Sequence, residues 1–85
     1  MSQATVIFHY KDKNTIIQCN TKEKMRNICE RFKSQIKENI NKLCFKYNGN
    51  LVNEELKYEE EINGKDKELN IMNIIIEEEN KRELN

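Results

Sequence analysis

The residues best suited to nucleophilic or acid–base chemistry are one histidine and three cysteines among 85 residues. A thiol beside an imidazole makes a nucleophile, but only if the fold brings the two within hydrogen-bond reach. Cys19, Cys29 and Cys44 are irregularly spaced and lack the Cys-x-x-Cys pairs of a zinc site. A Cys–His pair stays open on spacing alone. The simpler reading makes Cys19 a small core residue and leaves His9 facing solvent. The acidic runs Glu59-Glu60-Glu61 and Glu77-Glu78-Glu79 lack the alternating oxygen ligands and the glycine of a calcium loop. With only Gly49 and Gly64, the chain has no glycine-rich loop to cradle a phosphate. These residues lead us to expect no enzyme activity, no metal or other cofactor, and no small-molecule substrate.

The bulk charge narrows the partners. Fifteen Lys and Arg balance fifteen Asp and Glu, whereas binding to nucleic acid or an anionic membrane draws on excess positive charge. We therefore expect protein partners, and neither nucleic acid nor membrane. The balance hides a split. Residues 1–50 hold ten cations against four anions, and residues 51–85 hold five against eleven. Solvated surface is the simpler explanation of that split; a basic side and an acidic side is the other. Apolar runs stop at three residues, as in Ile74-Ile75-Ile76, far short of the roughly 18 that a membrane span needs. The start Met1-Ser2-Gln3-Ala4 does not resemble a signal peptide, and the odd cysteine count fits free thiols. The expected location is intracellular, in the cytoplasm, either free or within a large assembly such as the cytoskeleton.

Two hydrophobic periods organise the chain. Thr5 to Tyr10 and Thr15 to Cys19 are rich in β-branched and aromatic residues and read as strands joined by the polar turn Lys11–Asn14. Met25, Ile28, Phe32 and Ile36 then fall three and four apart, the stripe of one helix face. This predicts a helix from about 22 to about 38, capped by Asn20 and Glu23 and closed where Asn39 and Asn41 cluster. Leu43–Tyr47 returns to strand character, Asn48-Gly49-Asn50 marks a turn, and Leu51-Val52 makes a short strand. Leu56, Tyr58 and Ile62 anchor an acidic loop. A last strand covers about Leu69 to Glu77, in a register that leaves Leu69 and Ile71 as alternatives to Ile74 and Ile76 for the core. The expected division is a domain over 1–77 and a charged tail over 78–85. A hairpin, one crossing helix and further strands make an α+β domain with the helix on one sheet face.

This order and its spacings resemble ubiquitin, over residues 5 to 77. From Cys19, six residues lead to Met25; Ile28 and Phe32 follow at helix positions, then Phe45, Tyr47 and Gly49 on the third strand and its turn. Leu56 resembles the buried leucine of ubiquitin's long loop, and Met72, Ile74 and Ile76 resemble the inward residues of its final strand. The resemblance implies a β-grasp fold: a mixed four- to five-stranded sheet with one helix packed across it.

The departures bear on function. Conjugated modifiers end in Gly-Gly, whereas this sequence ends Lys81-Arg82-Glu83-Leu84-Asn85, so a non-conjugated protein is expected. Ubiquitin's apolar recognition patch is also replaced. Its central isoleucine corresponds to Lys46, its histidine to Ile75, its valine to Glu77, and the leucine of its first turn to one of the residues Lys11 to Lys13. Receptors that read ubiquitin are expected to bind this chain poorly.

Strand alternation offers a different surface. With Val6, Phe8 and Tyr10 turned inward, Ile7 and His9 face outward, as do Ile16 and Gln18 on the second strand and Ile75 on the last. In a β-grasp these strands are neighbours. Ile7, Ile16 and Ile75 then form an apolar stripe on the face away from the helix, bordered by His9, Gln18, Asn73 and Lys46. The expected function is a ubiquitin-like interaction module, either an adaptor or a small structural subunit of a larger assembly. The alternative is a Ras-association-like domain, which would present Lys11, Lys13, Lys22, Lys24, Arg26 and Arg31 to a small GTPase.

Overall fold

The computed structural model describes residues 3–36 and 43–78. Strand β1 (Gln3–Tyr10) and strand β2 (Lys13–Asn20) form a hairpin, followed by helix α1 (Met25–Ile36). Strand β3 (Leu43–Tyr47) and the short β4 (Asn50–Leu51) come next. Helices α2 (Tyr58–Glu61) and α3 (Gly64–Leu69) lead to strand β5 (Ile71–Glu78). The sheet order is β2-β1-β5-β3-β4. Strands β1 and β5 are parallel, and the other pairs are antiparallel. This α+β, mixed five-stranded arrangement with helices packed across it is a β-grasp-like fold.

The strands run longer than the propensities indicate. Lys13 and Asn14, read as turn, pair with Tyr10 and His9, which leaves a two-residue turn with Lys11 at φ 57°. At the second hairpin, Asn48 and Gly49 both take positive φ (54° and 84°), the type I′ geometry that matches strand twist and favours Asn-Gly.

Helix α1 starts later than its capping signal. Asn20 and Glu23 do interact: the Asn20 amide donates to the Glu23 carboxylate (3.2 Å), and the Glu23 amide donates to the Asn20 carbonyl (3.0 Å). They close a turn at the end of β2 instead of capping the helix. The next residues pair with the long loop, where the Met25 amide reaches the Leu56 carbonyl (2.8 Å) and the Tyr58 amide reaches that of Glu23 (2.8 Å). The helix end expected near Asn39 and Asn41 lies outside the described residues, as does the segment 79–85 of the expected tail. Glu78, assigned to that tail, closes β5.

The core lies between α1 and one sheet face. Phe8 and Phe32 stack at 4.6 Å between centroids, and Phe45 meets both rings edge-on at 5.9 and 6.0 Å. In the acidic loop Tyr58 is fully buried and Ile62 nearly so, while Leu56, expected to be buried, is half-exposed. Tyr58 occupies the interior there, with its hydroxyl directed to the Thr5 carbonyl (3.4 Å). Asn70, in the left-handed conformation (φ 55°), breaks the chain between α3 and β5. Met72, Ile74 and Ile76 are thereby turned inward, and Leu69 and Ile71 stay outside.

Candidate functional site

Among the described residues no helix covers the second sheet face, and the six residues singled out in the sequence all lie on it. Ile7, His9 and Lys46 are half-buried and Gln18 is exposed, while Ile16 and Ile75 retain 59% and 49% of their accessible surface. Register fixes how they meet. Ile7 sits directly opposite Ile16 on β2 and opposite Asn73, not Ile75, on β5. Ile75 lies one outward position further along, flanked by His9 and Lys46. The expected stripe is therefore an oblique arc, with Ile7 diagonal to Ile75, a distance that long side chains still bridge.

A polar bridge crosses this arc. The His9 ring contacts the Asn14 side-chain oxygen through Nδ1 (2.9 Å) and that of Asn73 through Nε2 (2.8 Å), spanning β2, β1 and β5. Neither contact is a nucleophile or a carboxylate. Cys19 lies on the opposite sheet face, and Cys44 stands on β3 across from Glu77. Burial, followed by nearby Glu23, pushes the Cys19 thiol up to about 11. Burial, followed by Glu54, pushes Cys29 up to about 12. These two thiols are core groups and stay protonated at neutral pH. Among the described residues, no group of three or more His, Cys, Asp or Glu side chains is placed to hold a metal ion. Nor, among them, is any helix long and apolar enough to cross a membrane.

Two further aliphatics belong to this face. Ile71 shares β5 parity with Asn73 and Ile75, and Leu51 lies across β4 from Lys46; they retain 36% and 65% of their surface. The i, i+2 spacing within Ile71-Asn73-Ile75 carries the first signal. The second follows from the Asn48-Gly49 hairpin turn, whose two-residue length sets Leu51 opposite Lys46. Lys46 also forms an ion pair with Glu77 (3.2 Å), so these two charges on the open face offset each other.

The charge split of the sequence resolves in a similar way. Lys22 pairs with Glu59 (3.5 Å), Lys24 with Glu55 (3.9 Å) and Arg26 with Glu55, whereas Arg31 pairs with Glu23 inside the basic half. Basic residues at the start of α1 thus face the acidic loop across the Lys24–Lys57 bridge.

No protein-family model matches the chain, and no curated protein matches it in sequence. Among solved structures, it is similar to the NMR structure of the Arabidopsis thaliana protein At2g32350, with a TM-score of 0.61 and 13% identity over 96% of this chain and 93% of that one. A likeness at that identity is one of fold.

Proposed function

We propose that this chain is a non-enzymatic, ubiquitin-like interaction module that docks a protein partner on its open sheet face, as an adaptor or as a small subunit of an assembly. The observation that carries the reading is the contrast in cover. Helix α1 closes one face, and the other leaves Ile16, Ile71, Ile75 and Leu51 accessible around the Asn14–His9–Asn73 bridge. Clustered exposed aliphatics of this kind mark interaction sites more often than scattered ones do. Charge that is already paired favours a protein surface over a polyanion. A Ras-association-like reading has less support, because Lys22, Lys24, Arg26 and Arg31 already have carboxylate partners that an acidic switch region would have to displace.

The test is co-purification from native extract with the complex sized by gel filtration, comparing wild type, Ile75→Asp and Lys67→Asp on α3. One defined complex should survive Lys67→Asp and be lost with Ile75→Asp, while both variants keep the wild-type circular dichroism. A complex indifferent to Ile75→Asp removes the open face from the reading.

A further inference from the structure

Strand β2 is the long edge of the sheet, eight residues with no strand beyond it among the described residues. Free edges invite pairing with another chain unless something covers them. The two-residue turn makes Tyr10 and Lys13 the first hydrogen-bonded pair of the hairpin. Alternation then points the backbone N–H and C=O groups of Asn14, Ile16, Gln18 and Asn20 away from β1.

The Gln18–Asn20 end of this edge is partly covered by the chain itself. At Asn20 the amide donates to Glu23 Oε1 (3.2 Å) and the carbonyl accepts from the Glu23 amide (3.0 Å). At Gln18 the carbonyl accepts from Nη2 of Arg31 (2.9 Å). Arg31 reaches this point from the middle of α1, donating to the Glu23 carboxylate through both terminal guanidinium nitrogens. A guanidinium nitrogen at hydrogen-bond distance from an edge carbonyl stands where the amide of a sixth strand would stand.

We propose that Arg31 is an edge guard that keeps β2 from pairing with β2 of a second copy. The pairing it blocks is self-complementary. A two-fold axis through Ile16 sets Ile16 against its own copy and Asn14 against Gln18, antiparallel. The Asn14 amide of each copy then needs the Gln18 carbonyl of the other, the acceptor that Arg31 holds. Ile16, the most exposed aliphatic on β2, would lie at the centre of the contact, and a zero formal net charge adds no long-range repulsion. The guard acts whatever the open face binds.

Analytical ultracentrifugation of Arg31→Ala across a concentration series tests the idea, with Arg26→Ala as control, since the Arg26 guanidinium pairs with Glu55 in the long loop. Wild type and Arg26→Ala should stay at the 10.2 kDa monomer mass. Arg31→Ala should rise towards twice that mass, with new hydrogen-exchange protection at the Asn14, Ile16 and Gln18 amides. Arg31→Met, which keeps a long aliphatic side chain without the guanidinium, should behave the same way and stands in if the alanine variant fails to fold. A folded Arg31 variant that stays monomeric overturns the proposal, as does a dimer protected elsewhere. Unfolding of both variants would make Arg31 a requirement of the fold and overturn it as well.

Discussion

The two faces of the sheet are built from the same residue types on the same strands, yet only one is a core. On β5, Ile74 has no accessible surface, while Ile75, its chain neighbour, keeps 49%. On β2, Ile17 keeps 3% and Ile16 keeps 59%. Composition does not separate these pairs. Parity does, because one register turns each odd or even set under α1 and the other set away from it. The closed face is an aromatic interlock, whereas the open face is a mosaic of aliphatics around an Asn14–His9–Asn73 bridge. Apolar residues held under a helix stabilise the fold; the same residues left uncovered are available to a partner.

The comparison breaks most sharply at Phe32. Its ring stacks on Phe8 and is met edge-on by Tyr10 and Phe45, so Phe32→Ala removes the centre of the interlock. The expected loss is about 3–5 kcal/mol. A domain of this size has only roughly 4–13 kcal/mol in total. Urea denaturation should show a large fall in midpoint for Phe32→Ala at 25 °C, and a midpoint close to wild type would mean that the core is not centred there.

A narrower test uses the neighbours on β5. Ile74→Ala should cost about 2–5 kcal/mol, whereas Ile75→Ala should stay within about 0.5 kcal/mol of wild type. Equal losses in thermal or urea unfolding would show that the open face is packed as tightly as the closed one, and the contrast between faces would disappear.

On β1 and β2 this parity was legible in the sequence, and so were the helix stripe and the succession of strands along the chain, because hydrophobic period depends only on local spacing. On the last strand the register stayed open between the pair Leu69 and Ile71 and the pair Ile74 and Ile76. What depends on distant backbone was not legible. Helix α1 starts at Met25, where a cap at Asn20 would start it earlier, because the intervening residues bond to a loop some thirty positions away. The short helices α2 and α3, at four and six residues, are too brief to show a helical period. Tyr58 read as one loop anchor among three, yet it is fully buried where Leu56 was expected to be. On the open face, each residue's side was predictable and its lateral neighbour was not. The parallel pairing of β1 with β5 sets Ile7 against Asn73, and nothing within either strand specifies that offset.

The smallest predicted effect concerns the seam where the closed side meets the free edge of β2. The Arg31 guanidinium, bonded to Glu23, holds that carboxyl below its ordinary value, assisted by the Asn20 amide and opposed by partial burial. A carboxyl depressed in the folded state binds its proton more weakly there than in the unfolded chain. It therefore contributes stability above the unfolded value, near 4.5, and loses that contribution as pH falls through the lower folded value. Glu23 is partly solvated and Arg31 more so, with side-chain exposures of 23% and 42%, so the contribution at neutral pH should be less than about 1 kcal/mol. Glu23→Gln should lower the urea midpoint slightly at pH 7, and the gap from wild type should close as the pH drops below 4.5. A gap that persists undiminished into acid would assign the effect to the hydrogen-bonded turn at Asn20, since the glutamine can still accept that bond only if its amide is turned correctly, and would leave the ion pair without a stabilising role.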